Sequence, residues 1–180
     1  QRMKVVKYFS FKTFSFLVIV LLSPVLSVAD SGFFDQSLGD YSEELENARA
    51  DGKKGVLLMF EMDECPFCDR MAKTILNQPE VIKFYKQHFY IYRIDIEGDV
   101  EVADFHGKVT TEKDFAFRQH RVRATPVIAF FDLQGKRIVR YTGATSTVEE
   151  FLWLGDFVIE EKYKEMSFTK YKKIKRKTAE

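Results

Sequence analysis

The chain has 180 residues, of which 46% are hydrophobic and 15% aromatic, enough for one domain with a sizeable core. Glycine and proline are sparse, at 9 and 4 residues, which excludes collagen-like and low-complexity sequence. The net charge of +1 is unevenly spread: residues 30–169 hold 18 basic and 26 acidic side chains, a net charge of −8, which argues against a nucleic-acid-binding domain.

The first 29 residues have the pattern of a secretory signal peptide. A lysine-containing start precedes the apolar run 14–22, and the small residues Ser27 and Ala29 stand at alternate positions. We therefore predict cleavage after Ala29 and export to the periplasm. An uncleaved membrane anchor is the alternative, although the apolar run is short for a spanning helix of about 20 residues.

The next segments predict a loop, a helix, a buried strand and a second helix. Residues 30–40 lack a clear period and are expected to be a loop, whereas 41–49 follow a helical pattern. The continuous apolar run 55–61 is typical of a strand buried on both faces of a sheet. A helical pattern then extends over 65–76.

The middle of the chain predicts a helix, a strand and a further helix. Pro79 precedes a short helical segment, 80–87, and the alternation over 89–96 predicts a second strand. Residues 97–109 are polar and irregular, so we expect a long connection there. Thr111 offers an N-terminal cap for a helix that extends to His120.

The C-terminal part predicts two paired strands and a long helix. The strands, 127–131 and 138–141, are joined by a turn that contains Gly135. The sequence Ser-Thr-Val-Glu at 146–149 is typical of a capping box at the start of the last helix. The basic residues 170–180 form a C-terminal tail that we expect to be a solvated, frayed helix, although it could contact anionic lipid or an acidic partner.

The order of these elements indicates the fold class. Parallel strands joined by helices, followed by an antiparallel pair, predict a three-layer α/β domain over 30–169. Its central sheet is expected to be mixed, with helices on both faces.

The chain has only two cysteines, Cys65 and Cys68, and they lie between the buried strand and the following helix. Free backbone N–H groups and the helix dipole at such a position favour an anion, which lowers the pKa of the first thiol. The thiolate is the form that attacks a disulfide, and a cysteine one turn later can resolve the mixed disulfide. We therefore predict Cys65 as the attacking residue and Cys68 as the resolving residue.

Other interpretations of the cysteine pair remain open. A closed zinc site needs about four ligands, and the three histidines are scattered along the sequence. A structural disulfide suits an exported protein, but so short a loop constrains the unfolded chain little. The pair could also carry copper(I) or zinc as soft ligands in a metal-carrier protein.

Several stretches resemble the thioredoxin family. They are the strand followed by Cys-Pro-Phe-Cys, the sequence Val-Arg-Ala-Thr-Pro at 122–126 and the sequence Phe-Asp-Leu-Gln-Gly-Lys at 131–136. The predicted order of helices and strands is also similar to that of a thioredoxin fold. More narrowly, the acidic sequence at 61–64 and the aromatic pattern of 157–171 resemble the periplasmic thioredoxin-like proteins associated with sulfur oxidation (SoxW-like).

This resemblance implies a substrate site as well as a redox centre. Thr125 and Pro126 would form a cis-proline loop against the cysteines, with the backbone before the proline facing an extended substrate peptide. A trans proline at a strand start would also be acceptable. Pro66 and Phe67, between the cysteines, would complete the substrate surface.

The implied activity is that of an exported thiol–disulfide oxidoreductase, most simply a reductase of disulfide-containing proteins. The redox-active disulfide would be its only cofactor, and no metal or nucleic acid is expected. Because the sequence has no flavin or nicotinamide fingerprint, electrons would come from a membrane thiol donor. We expect a monomer.

The sequence departs from the family pattern at three places. Glu64 stands where thioredoxin has tryptophan, Pro66 and Phe67 stand where it has Gly-Pro, and Met59 stands where a buried carboxylate assists proton transfer. A carboxylate beside Cys65 would oppose thiolate formation, so the direction of the reaction stays open between a reductase and a dithiol oxidase or isomerase.

Overall fold

The computed structural model describes residues 32–179, so the predicted signal peptide at 1–29 lies outside the described residues. Within 32–179, none of the helices has the length and apolar content needed to cross a bilayer. The strands are β1 (Gly55–Glu61), β2 (Phe89–Asp95), β3 (Glu101–Ala103), β4 (Val109–Thr111), β5 (Val127–Phe131) and β6 (Arg137–Thr142). The helices are α1 (Tyr41–Ala50), α2 (Pro66–Met71), α3 (Pro79–His88), α4 (Glu112–Asp114), α5 (Val148–Ile159) and α6 (Phe168–Ala179). A π-helical turn extends α2 at Ala72–Leu76 and another extends α4 at Phe115–Gln119, and a 3₁₀ turn at Lys162–Lys164 precedes α6.

The central sheet contains four strands in the order β2-β1-β5-β6. Strand β1 pairs parallel to β2 and antiparallel to β5, and β5 pairs antiparallel to β6. All of β1 except its last residue is buried, as expected for an apolar strand at the centre of a sheet. The predicted mixed sheet is therefore confirmed.

Helices cover both faces of the sheet, which confirms the three-layer prediction. Leu57 and Met59 point to one face, where they pack with α2, α3, α5 and Tyr171 of α6. Phe60 points to the other face, where it packs with α1 and with the π-helical turn after α4. The period-2 alternation of a strand thus divides one apolar run between two hydrophobic cores.

One segment differs from the sequence prediction. Residues 97–109 are not an irregular connection, because β3 lies within them and pairs antiparallel with β4. The turn between these strands is held by Asp104, whose carboxylate accepts hydrogen bonds from the backbone N–H groups of His106 and Lys108 at 2.9 and 3.0 Å. Strands of three residues are too short for apolar alternation to predict them.

The start of α5 also differs by one residue from the prediction. Thr147, rather than Ser146, is the N-cap, and its hydroxyl accepts from the backbone N–H of Glu150 at 3.1 Å. Glu150, rather than Glu149, reaches back and accepts from the N–H of Ser146 at 3.4 Å. Adjacent Ser-Thr and Glu-Glu pairs allow either register, and the one observed buries Glu150.

The basic segment 170–180, expected as a solvated and frayed helix, forms most of α6 up to Ala179, but this helix packs on α5. Tyr171 of this helix is buried in the core on the α5 side. Lys172 forms an ion pair of 2.6 Å with Glu150, whose side chain is only 5% exposed. One face of α6 is therefore part of the folded unit.

Candidate active site

The two cysteines lie at the junction of β1 and α2, where the sequence predicts them. They form a disulfide with an S–S distance of 2.11 Å, and both are buried. Cys65 is the N-cap of α2 and Pro66 occupies its first turn, where the missing N–H of proline leaves no hydrogen bond unmade. The preceding residue, Glu64, is exposed and has a φ of 56°.

Two hydrogen-bond donors meet at the sulfur of Cys65. The backbone N–H of Cys68 donates to Cys65 Sγ at 3.2 Å, and the Thr125 hydroxyl donates to the same atom at 3.2 Å. The first donor is one of the free N–H groups at the start of the helix, as the sequence predicts. Both donors would stabilise negative charge on this sulfur when the disulfide is reduced.

The Thr125-Pro126 peptide bond is cis, which confirms the geometry expected from the family resemblance. Pro126 is buried, Thr125 is partly buried, and the pair immediately precedes β5. Because β5 lies beside β1 in the sheet, residues separated by 60 positions come into contact at the disulfide.

The surface above the disulfide is apolar at one position. Phe67, between the cysteines, is 61% exposed, and Pro66 beside it is also exposed. Phe67 therefore exposes an aromatic ring beside the disulfide.

The interior side of the disulfide is apolar too. Met59, at the position of the carboxylate that assists proton transfer in the family, is 1% exposed and lies in the same core as both cysteines. Glu61 lies at the end of β1 and forms an ion pair of 3.4 Å with Arg93. Glu64 is exposed, so neither Glu61 nor Glu64 supplies a buried carboxylate in place of the one that is missing at Met59.

The sequence does not predict the contact that Arg70 makes. Its guanidinium donates to the backbone carbonyl of Thr145 at 2.8 Å, which ties α2 to the loop before α5. Thr145 is fully buried, and among residues 32–179 its hydroxyl has no hydrogen-bond partner. No short motif could reveal this contact, because 75 positions separate the two residues.

Comparison with known proteins identifies the family. Residues 41–159 match the profile of the family described as thioredoxin-like domain. The chain belongs to this family. No curated protein matches the chain significantly.

Solved structures support the same fold for this thioredoxin-like domain. A thioredoxin-fold protein from Helicobacter pylori is similar with a TM-score of 0.63 and 23% identity, over 84% of this chain and 96% of that one. A thioredoxin from Thermus thermophilus is similar with a TM-score of 0.53 and 25% identity, over 69% of this chain and 88% of that one. The thioredoxin fold expected from the sequence is confirmed.

Proposed function

We propose that this thioredoxin-like domain is a thiol–disulfide oxidoreductase that reduces protein disulfides through Cys65 and Cys68. The observation that carries this proposal is the meeting of two donors at Cys65 Sγ, one from the start of α2 and one from the cis-proline loop. A disulfide that only stabilises the fold has no need of a hydroxyl donor from a loop 60 residues further along the sequence.

The proposed reaction is an exchange of disulfide bonds. In the dithiol form, the Cys65 thiolate attacks one sulfur of the substrate disulfide, forms a mixed disulfide and releases the other substrate sulfur as a thiolate, which takes a proton from water. Cys68 then loses its proton to water and attacks Cys65 Sγ. The Cys65–Cys68 disulfide forms, the second substrate thiol leaves, and two electrons have passed to the substrate.

Regeneration requires an external dithiol, which we propose to be a membrane thiol donor. The same proposal includes export to the periplasm, on the basis of the signal-peptide pattern at 1–29 and the resemblance to SoxW-like proteins. Pro66, Phe67, Thr125 and Pro126 are the proposed substrate contacts. Pro66 and Phe67 stand between the two cysteines, the Thr125 hydroxyl donates to Cys65 Sγ, and Phe67 exposes an aromatic ring beside the disulfide.

The direction of the reaction is tested by two measurements on the purified protein. We expect the dithiol form to reduce insulin disulfides, with a reduction potential close to the reductase value of about −270 mV. A potential near the oxidase value of about −120 mV would instead make the protein a dithiol oxidase. Stoichiometric copper(I) or zinc after purification under reducing conditions would support the metal-carrier alternative.

Replacing Thr125 by valine is expected to make Cys65 a weaker nucleophile at neutral pH. Valine keeps the shape of the side chain but removes the donor to Cys65 Sγ, so the pKa of the Cys65 thiol should rise, by about one unit. The measurement is the pH dependence of iodoacetamide alkylation of the dithiol form. Thr74→Val is the matched control, because the Thr74 hydroxyl donates to the carbonyl of Arg70 instead. An unchanged profile in Thr125→Val would contradict the assigned role.

A further inference from the structure

Four exposed arginines, two in the connection that leads to the cis-proline loop and two on β6, form what we call the arginine face: Arg121, Arg123, Arg137 and Arg140. Two belong to the connection between α4 and β5, and two belong to β6. In β6, the residues paired with Ala129 and Phe131 are Arg140 and Arg137, so both lie on the sheet face that carries α1 and α4.

Backbone carbonyls hold two of these arginines, Arg137 and Arg140, against the connection that carries the other two. Arg137 and Arg140 each donate through Nη1 to the carbonyl of His120, at 3.2 and 2.9 Å. Arg140 also donates to the carbonyl of Arg121 at 3.4 Å. These carbonyls follow the last turn of the α4 segment and bear partial negative charge, which attracts guanidinium groups but cannot neutralise them.

The arginines of this face are not paired with acidic side chains among residues 32–179. None of the four forms an ion pair with a carboxylate there, whereas the nearby Arg118 pairs with Asp114 at 3.0 Å. Residues 115–131 contain three arginines and no acidic residue, although the domain as a whole is strongly acidic. Partial burial of its guanidinium, together with the charges of Arg140 and Arg121, lowers the pKa of Arg137, as expected for like charges held close together.

A groove of mixed character adjoins the arginine face. It has a volume of about 630 Å³ and is lined by the apolar residues Ile96, Phe117 and Val122 and by the charged residues Glu97, Lys113, Asp114, Arg118 and Arg123. Phe117 is 50% exposed, and the guanidinium of Arg123 lies 5.2 Å from the centre of its ring. The groove could therefore receive one apolar side chain next to the arginines.

We propose that the arginine face binds an acidic segment of the polypeptide that exchanges disulfides with Cys65, with an apolar side chain of that segment in the groove. This proposal rests on the proposed function. The face begins at Arg123, two residues before the Thr125 that contacts Cys65, so both surfaces can engage one polypeptide.

The position and charge of the face argue for a polypeptide rather than a small disulfide. The guanidinium groups of Arg137 and Arg140 meet at the carbonyl of His120, five residues before Thr125, so their charges form a cluster rather than a row along β6. A ligand that reacts at Cys65 reaches this cluster through the residues that flank its cysteine, and acidic residues there complement the guanidinium charges.

The test uses two disulfide-linked peptides that differ only in a flanking segment, Asp/Glu in one and Asn/Gln in the other. Wild type, the double variant Arg121→Gln/Arg123→Gln and the control Lys83→Gln/Lys173→Gln are compared for reduction rate. Each is also tested, in the oxidised form, for peptide binding by fluorescence anisotropy. The control removes the same charge from exposed lysines on α3 and α6. Hydroxyethyl disulfide, small and neutral, reports on the redox centre alone.

We expect wild type to prefer the acidic peptide and the arginine variant to reduce and bind it about tenfold less well at low salt. Rates with the neutral peptide and with hydroxyethyl disulfide should stay unchanged, as should all rates of the lysine control. At about 1 M salt the preference should disappear, because the Debye length is then about 3 Å.

Several results would overturn the proposal. Equal rates and equal binding for both peptides in wild type would show that the face does not select acidic segments. An equal loss for both peptides in the arginine variant would indicate a structural role. Binding to phosphatidylglycerol vesicles that depends on these arginines, without any peptide preference, would make the face a lipid-binding surface. Failure of wild type to reduce any disulfide would contradict the proposed function instead, and anisotropy would still decide whether the face binds the acidic peptide.

Discussion

Replacing Cys65 by serine is expected to lower the reduction of insulin disulfides at least about a thousandfold, to the background rate. Serine lacks the sulfur that must bond to the substrate sulfur, and its hydroxyl is not ionised at neutral pH. The donors from Cys68 and Thr125 would remain in place, so the loss would report on the nucleophile rather than on its surroundings.

Replacing Cys68 by serine is expected to stop the reaction one step later. Cys65 can still attack, but nothing resolves the mixed disulfide, so substrate should stay covalently bound and appear as a heavier species on a non-reducing gel. Lys73→Gln, an exposed change in the same helical segment, is the control and should turn over normally. Full activity in both cysteine variants would refute the mechanism.

The second large effect is expected for stability, in Lys172→Met. Glu150 is 5% exposed on its side chain and accepts from Lys172 at 2.6 Å and from the Tyr141 hydroxyl at 3.2 Å. Without Lys172, a buried carboxylate would lose its counter-charge, and we expect the free energy of unfolding to fall by about 2 kcal/mol. This value is below the range for fully buried pairs because Lys172 is itself 20% exposed.

The control for this prediction is Lys175→Met. Lys175 pairs with Asp156 at 3.0 Å, but both side chains are about 30% exposed, so the loss should stay below about 1 kcal/mol. Urea unfolding of the two variants provides the comparison. Equal losses of unfolding free energy in the two variants would contradict the assigned effect of the burial of Glu150.

The effect of Lys172→Met is also expected to depend on pH. Burial alone would raise the pKa of Glu150, but the hydrogen bond and charge of Lys172 lower it below the ordinary value of 4.5. A carboxyl group with a lowered pKa in the folded state stabilises the protein above its unfolded pKa, and this contribution is lost as the pH falls. The difference in the free energy of unfolding between wild type and variant should thus be largest at pH 7 and become smaller below about pH 4.5. A difference that grows on acidification would contradict the assignment.

Sequence patterns predict the position of the cysteine pair well because the signals around it are local. An apolar run, a Cys-Pro-Phe-Cys sequence and a helical pattern follow one another without interruption, and each is visible within a few residues. The family resemblance adds the Thr125-Pro126 loop, which no local pattern places beside Cys65. The long helices and the four strands of the main sheet follow from apolar periodicity in the same way.

The features that sequence patterns miss depend on contacts between distant residues. The docking of α6 rests on Lys172 and Glu150, and nothing near either residue shows that the other will meet it. A basic helix with few apolar residues has the composition of a solvated tail. The arginine face is missed for the same reason, because it combines residues of a connection with residues of a strand.

The two outer strands of the sheet also bear on how the folded protein avoids aggregation. Along β2, the backbone N–H of Asp35 donates to the carbonyl of Ile91 at 2.7 Å, and the Asp35 carboxylate accepts from the N–H of Ile91 at 2.9 Å, which occupies part of that edge. At the opposite edge, β6 carries Arg137 and Arg140. Charged side chains on an outer strand discourage edge-to-edge pairing of sheets, so the arginines that we propose to attract one acidic partner would also keep copies of the domain from adding to one another.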